Sequence, residues 1–393
     1  MVGASLACSL INLNIRIAMV EAVPLRADNQ PSYDDRGLAL SLSSKRILTR
    51  LELWQQVKAT ACAIKHIHVS DRGHFGFVRL HASDLNVDAL GHVVIARELG
   101  LALMSRISQA GNIDYLCPAE VQDIKIDYDN VSVSLSDDRL TESLTGKLLV
   151  VADGANSGLR QKLGIAALVK DYRQTAIVTN ISPERPHNNT AYERFTDSGP
   201  IAMLPLQGNR CVMVYTVPAD EAQAYLEMET SEFQERSWKR FGRRLGRFSR
   251  TGTLKLYPLK FVETEEQVLS RVVLLGSSAH TIHPNGAQGF NLCLRDVAAL
   301  SEHLETAIEH NQDVGDRKVL EAYFFSRETD QKRVMEFSDR LATIFHNDQL
   351  AKIILRNSGM FVTDIIPSVK REFIRRAVGI SGKQPAMVSG IKI

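Results

Sequence analysis

Arg271-Val272-Val273-Leu274-Leu275-Gly276-Ser277-Ser278-Ala279-His280-Thr281-Ile282-His283-Pro284-Asn285-Gly286-Ala287-Gln288-Gly289-Phe290-Asn291 reads as a strand, a small-residue loop interrupted by Pro284, and the first turn of a long helix extending to about His310. The unbroken apolar run from Val272 to Leu275 suits a parallel strand covered on both faces. A second stretch has the same form. Lys147-Leu148-Leu149-Val150-Val151-Ala152 is a buried strand that stops at the Asp153-Gly154 turn and leads into Ala155-Asn156-Ser157-Gly158-Leu159-Arg160.

A third stretch is the start of the chain. Met1 to Leu10 carries small and apolar residues at helical spacing, and Ile15-Arg16-Ile17-Ala18-Met19-Val20 is a strand ending in Glu21. Helix, strand and acid form the second half of a dinucleotide-binding unit, in which glycines admit a pyrophosphate and the acid takes a ribose. The spacing makes Gly3 the last glycine of a G-x-G-x-x-G and places the other two, with the first strand, ahead of Met1. A natural start about ten residues or more upstream is the expectation, since the first strand of such a sheet is central. A small-residue helix packed on a strand is the plainer reading of this stretch taken alone.

The remaining pattern predicts a helix over Ser43 to Val57, strand-like material from Ile67 to Leu80, a helix from Val94 to Gln109 and a hairpin from Val121 to Leu135. A polar loop through Pro31 and Asp35 joins the first strand to the first of these. Strands over 175–181, 191–206, 211–217 and 253–259, with a helix near Ser231 to Phe241, mark a change of character. The predicted fold is α/β (α+β overall). A Rossmann-type domain is built from the discontinuous segments 1–70, 92–170 and 262–345, with a sheet-rich domain over 71–91 and 171–261 and a basic amphipathic tail over 346–393. At 393 residues, with 47 Lys plus Arg against 45 Asp plus Glu, the chain has the mass for two cores and too little net charge for a nucleic-acid footprint. Its five cysteines form no C-x-x-C pair and read as reduced thiols of a cytoplasmic protein.

The Asp153 and Gly276 stretches resemble the D-G-A-x-S-x-x-R and G-D-A-A-H-x-x-x-P-x-x-G-Q-G-x-N motifs of the FAD-dependent aromatic hydroxylases, the single-component flavoprotein monooxygenases. The resemblance covers nearly the whole chain. It narrows to the ubiquinone-biosynthesis branch through His68-Val69-Ser70-Asp71-Arg72-Gly73-His74, Glu193-Arg194-Phe195, Gly199-Pro200-Ile201-Ala202-Met203-Leu204-Pro205 and Arg295-Asp296-Val297.

This resemblance implies an FAD site made of Gly3, Glu21, Arg36, Asp153, Gly154, Gly276, Ser277, Pro284, Gly286, Ala287, Gln288, Gly289, Phe290 and Asn291. Glu21 would take the adenosine ribose and Arg36 the flavin phosphates, although Asp34 and Asp35 beside Arg36 equally suit a solvated loop. Asp153 would touch flavin and nicotinamide; a strand-end turn is its bland alternative. Ser277 stands where relatives usually carry an acid, which loses a charge-assisted bond of about 1 kcal/mol. His283 and Pro284 would border the reactive face of the flavin, beneath an apolar roof from Met203 to Leu206 and Cys211 to Tyr215. His280 and His283 suggest no metal, lacking a nearby carboxylate or third ligand and broken by Pro284. His66 and His68 read as surface or packing histidines, and the basic Gly242 to Arg247 turn as a solvated loop or an anion contact.

The activity implied is hydroxylation of a polyprenylated methoxyphenol ring through a C4a-hydroperoxyflavin, with NAD(P)H and O2 as co-substrates. No second G-x-G-x-x-G serves the nicotinamide, in keeping with that family and equally with an enzyme that uses no nicotinamide. A hydroxylase of another ring, a flavin oxidoreductase and a non-catalytic flavoprotein remain open at this level. After Ala351, eight bases stand against two acids among apolar residues, so peripheral contact with the inner face of a membrane, or with other ubiquinone-biosynthesis proteins, competes with terminal helices packed on the flavin domain.

Overall fold

The computed structural model describes residues 1–24, 36–136, 141–345 and 350–389; the loop through Pro31 and Asp35, and Lys392 of the basic tail, lie outside them. The helix Val2–Ser9 leads to the strand Ile17–Val20, which runs parallel to Ile113–Leu116. Leu149–Val151 runs parallel to Val272–Leu274, whose other edge pairs with Val268–Leu269. Among the described residues these stay two separate sheets. One core joins them, with Val2, Leu6, Ile17, Val150, Val273 and Leu275 packed on Val297, Leu300 and Tyr323. The last three lie on the helices Gly289–Glu309 and Arg317–Ile344, whose apolar faces are thereby removed from water.

The second body is a nine-stranded sheet. Its order is His280–Thr281, Lys255–Thr264, Ala167–Pro183, Arg210–Pro218, Ile201–Leu206, Thr190–Phe195, His66–Asp71 and Phe77–His81, with Phe248–Thr251 also on Ala167–Pro183. The sheet takes in His66–Asp71, so its contribution from this part of the chain begins ahead of residue 71. Strand alternation sends Met203, Met213 and Tyr215 to the outer face, onto Phe233 and Phe241 of the helix Thr230–Phe241. Ala191, Leu204, Leu206 and Val212 face inward with Ile64 and Val93. The roof expected from 203–206 and 211–215 is therefore made by every second residue only.

Two further expectations change. The helix predicted over Ser43 to Val57 is two, Leu42–Arg50 and Trp54–Val57, broken where Glu52 takes φ 59°. Val94 belongs to the strand Gly91–Ile95, and the next helix starts at Ala96. The terminal helix Leu350–Ile365 packs on the sheet strand Phe77–His81 rather than on the flavin-side domain. Asp71 accepts from Arg356 Nε at 2.8 Å and from Asn357 Nδ2 at 2.9 Å, while Asp364 accepts from Arg79 Nη2 at 2.9 Å. Arg356 is thus a buried anchor and no part of a basic surface. The short helix Ala386–Ser389 does return to the flavin-side domain, on Leu42–Arg50.

Candidate active site

The three stretches separated in sequence meet in space. A Cβ on Gly276 would lie 2.9 Å from Val2 Cγ1, and one on Gly3 would lie 3.4 Å from Ala152 Cβ. The buried Met1 amino group, its pKa lowered by burial, feels both the Glu21 carboxylate and Cys293. Ser277 reaches the Cys293 thiol on the helix Gly289–Glu309. Glu21 closes the strand Ile17–Val20, and its Oε1 accepts from Val23 N at 2.9 Å. Asp153 is exposed, with Oδ2 accepting from Leu159 N at 3.1 Å, so one of its oxygens caps the helix Gly158–Lys162. Arg36 stands just ahead of the strand Gly37–Ser41, its guanidinium 5.1 Å from the Tyr257 ring centroid.

The loop after Thr281 is held from several sides. Gly286 has φ 66° and Ala287 φ 52°, left-handed conformations that favour glycine. Ala287 stands where the hydroxylase motif has a glycine, a departure that sequence reading passed over. Asn291 fixes the loop: Oδ1 accepts from Ser41 N at 2.8 Å and Ser44 Oγ at 2.7 Å, and Nδ2 donates to Ala39 O at 2.8 Å and Ala287 O at 2.7 Å. With all four valences used inside the protein, its side chain positions the loop and leaves only backbone for a cofactor. Gln288 Nε2 donates to Gly286 O and to Ala377 O, each at 3.1 Å. Phe290 packs into the core around Leu294 and Ala298.

Against this loop lies a small pocket, with room for about one water, lined by Phe195, Pro200, His283, Asn285, Leu341 and Phe345 among others. Phe195 and Phe345 stack with ring centroids 3.5 Å apart and planes 10° apart. Burial pushes the His283 imidazole down to about 4, so it is neutral. Its Nδ1 accepts from Asn285 N at 3.3 Å and its Nε2 lies 3.4 Å from Gln174 Oε1. Glu193, on the strand Thr190–Phe195, shares its inward face with Ala191 and Phe195. Burial pushes its carboxyl up to about 7, against the pull of the Gly286 N–H. Its site role was missed from sequence; an acid at an inward position of an alternating strand was the available signal.

Behind the loop is a buried charge cluster. His280 Nε2 and Asp296 Oδ2 are 2.7 Å apart, Arg327 Nε donates to Asp296 Oδ1 at 2.7 Å, and Arg295 Nε donates to Asp330 Oδ2 at 2.9 Å. The sequence reading found no carboxylate near His280; Asp296, one helical segment away, is that carboxylate. It serves His280 as a hydrogen-bond partner, and among the described residues no group of three ligating side chains assembles around either histidine.

Comparison with known proteins decides what this geometry belongs to. The family model described as FAD binding domain matches residues 1–338. The chain belongs to that FAD-binding family. The ubiquinone hydroxylase UbiL of Rhodospirillum rubrum is 31% identical over 100% of this chain and 91% of its own length. The 3-demethoxyubiquinol 3-hydroxylase of Escherichia coli is 27% identical, over 97% of this chain and 96% of its own. The crystal structure of p-nitrophenol 4-monooxygenase PnpA from Pseudomonas putida shares the fold with a TM-score of 0.80 at 19% identity, covering 98% of this chain and 96% of that one. The protein is an FAD-dependent monooxygenase of the ubiquinone hydroxylase type.

The residues of this monooxygenase fit the cofactor. The helix Gly289–Glu309, 21 residues long, has no side-chain cap at its N-terminus, so its first N–H groups and positive dipole end are open toward the loop. The helix Val2–Ser9 likewise has no side-chain cap. Gly154 and Gly286, both at positive φ, have nothing within 4 Å of the space a Cβ would fill, which leaves backbone open to close approach. Gly3, Gly276 and Glu21 would hold the adenosine diphosphate end, and Gly286, Ala287, Gly289 and Phe290 backbone the flavin end. When bound, FAD activates dioxygen for transfer of one oxygen atom.

Proposed function

We propose that this monooxygenase hydroxylates the aromatic ring of a polyprenylated methoxyphenol in ubiquinone biosynthesis, an activity of the 2-polyprenyl-6-methoxyphenol hydroxylase kind, with NAD(P)H as electron donor and O2 as oxygen source. The observation that carries this reading is the Glu193 carboxyl, set against the Gly286 N–H of the small-residue loop and on the strand face it shares with Phe195. Attack of a phenol ring on an electrophilic oxygen is promoted when its hydroxyl proton is drawn away. Glu193 is the acceptor for that proton.

Two measurements check the reading. NADPH oxidation should rise on adding a 2-prenyl-6-methoxyphenol, with a product heavier by one oxygen in mass analysis; oxidation without oxygenated product contradicts it. The turnover rate should climb as pH passes through about 7, where Glu193 loses its proton, and Glu193→Gln should lack that limb. The same shift has a stability signature. Between about 4.5 and 7 the folded state keeps a proton that the unfolded chain has lost, so stability falls as pH rises through that window. Glu193→Gln removes the fall, which urea titrations at the two ends of the window measure.

The polyprenyl tail of such a substrate resides in lipid, and we propose that the terminal helices meet the membrane surface there. No helix among the described residues is long and apolar enough to cross a membrane. Leu350, Ile354, Leu355, Phe361, Ile365 and Ile366 are exposed on or beside the helix Leu350–Ile365, with Lys352, Arg371 and Arg375 also exposed. Arg356, from the inner side of that helix, lies 5.2 Å from the ring centroid of Phe345 in the pocket wall, so the surface and the pocket adjoin. Changing Lys352, Arg371 and Arg375 to glutamine is expected to weaken sedimentation with anionic liposomes about a hundredfold, at about 1 kcal/mol per base. Unchanged sedimentation discards the contact.

A further inference from the structure

The strand alternation that turns Glu193 inward turns Tyr192 and Arg194 to the outer face of the large sheet. On the neighbouring strands His68 stands opposite Tyr192, Ser70 opposite Arg194 and Arg79 opposite His68, so Arg72, two residues beyond Ser70, closes the same face. Tyr192 meets Phe241 edge-on with ring centroids 5.6 Å apart, which lays the end of the helix Thr230–Phe241 and the basic turn after it against this patch. Gly242 opens that turn at φ 95°, and a Cβ there would lie 3.0 Å from Arg194 Nη1. The absent side chain lets the guanidinium rest on the backbone of the turn. Four arginines thus gather with two carboxylates. Arg79 Nη2 pairs with Asp364 at 2.9 Å, while Arg72 reaches only the exposed Asp197, at 3.5 Å. Arg194 and Arg244 have no carboxylate partner among the described residues, and Arg194 Nε is buried without a hydrogen-bond acceptor.

We propose that Arg72, Arg194 and Arg244 form a binding site for a phosphomonoester, whose two negative charges equal the excess of bases over acids in the patch. Guanidinium groups present planar, paired N–H donors that match phosphate oxygens, and three of them arrive here from separate directions: the turn after the strand His66–Asp71, the strand Thr190–Phe195 and the basic turn. The empty patch is electrostatically unfavourable. Burial and the charges of Arg72 and Arg244 lower the pKa of Arg194, and burial with Arg244, Arg79 and Arg194 pushes His68 down to about 4, so its imidazole is neutral and adds no further repulsion. A dianion removes that cost and gives Arg194 Nε an acceptor. Soluble esters and lipid headgroups both carry this group. The site lies across the sheet from Glu193, and its existence depends neither on the hydroxylase substrate nor on the contact of the terminal helices with lipid.

Titration calorimetry of the FAD-loaded protein with glycerol 3-phosphate, at about pH 8 where the ester is a dianion and at constant ionic strength, measures the site. The wild type should take up one equivalent per chain. Arg194→Gln and Arg244→Gln should each weaken binding at least about tenfold, the worth of a charge-assisted hydrogen bond, and Arg244 is exposed, so its replacement leaves the fold undisturbed. Arg247→Gln is the matched control. It removes the same charge from the same turn, but that guanidinium lies 4.6 Å from the Trp238 ring centroid, and affinity should stay within about twofold. Absence of saturable binding by the wild type overturns the inference, as does an equal loss in all three variants, which would leave a diffuse field and no site. Phosphatidylcholine vesicles containing phosphatidic acid, or phosphatidylglycerol at equal surface charge, identify the source. Sedimentation that prefers phosphatidic acid, with the preference lost in Arg244→Gln, assigns the phosphate to a lipid headgroup; binding of glycerol 3-phosphate without that preference assigns it to a soluble ester.

Discussion

Asp296→Ala is expected to cost about 3–5 kcal/mol of folding stability, the largest loss from any single change around the site. Burial alone would push the Asp296 carboxyl up, but the Arg327 guanidinium and the His280 hydrogen bond bring it down to about 2. Truncation leaves Arg327, 1% exposed, with half of its carboxylate contacts, and leaves His280 without its partner. The penalty is that of a buried cation left half-paired and a buried imidazole left without its acceptor, rather than of one lost bond. Removing the charges together should restore much of it, so Asp296→Leu with Arg327→Met is expected to be markedly more stable than Asp296→Ala alone. Urea unfolding decides; a loss below about 1 kcal/mol would show that water reaches the cluster. The pH dependence has a definite sign. Because Asp296 is depressed below 3.8, its contribution is present above that pH and fades as pH falls toward 2.

Gly276→Val is the second large effect. Gly276 has φ 70°, a conformation costing a β-branched residue about 1–2 kcal/mol, and its new Cβ would meet the stiff Val2 side chain at 2.9 Å. Neither the strand end nor the first helix can move without the other, so the contact between two of the cofactor-binding stretches opens. Stability is expected to fall by about 2–4 kcal/mol and FAD affinity by at least tenfold. Gly158→Ala is the matched control: that glycine has no positive φ and nothing within 4 Å. Flavin fluorescence on titration separates the two variants.

Which parts of this molecule were readable in its sequence follows from the range of the forces involved. The apolar runs Val272–Leu275 and Leu148–Val151 declare buried parallel strands because they are short, rich in branched side chains and closed by Gly276 and by the Asp153-Gly154 turn. The small residues of Gly286-Ala287-Gln288-Gly289 declare a backbone approach for the same local reason. The break at Glu52 was hidden, since the apolar spacing continues through Leu51 and Leu53 and only the backbone angle reveals it. Asn291 looked like a ligand in its motif, yet its amide is spent on Ser41, Ser44, Ala39 and Ala287, three of them some 250 positions away in the chain. Asp296 and Arg327 lie 31 apart on separate helices, and Asp71 and Arg356 lie 285 apart. Such pairings depend on how the helices are packed, which composition and period do not encode.

The central claim is that the stretches around Gly3, Asp153 and Gly276 form one cradle for a single FAD. It is tested most directly by counting flavin per chain, from the absorbance released on denaturing the purified protein after incubation with excess FAD and removal of the unbound fraction. The account predicts one FAD per chain for the wild type and for Gly158→Ala, and a small fraction of that for Gly276→Val. A wild-type chain that is folded by circular dichroism yet colourless after this treatment would contradict it.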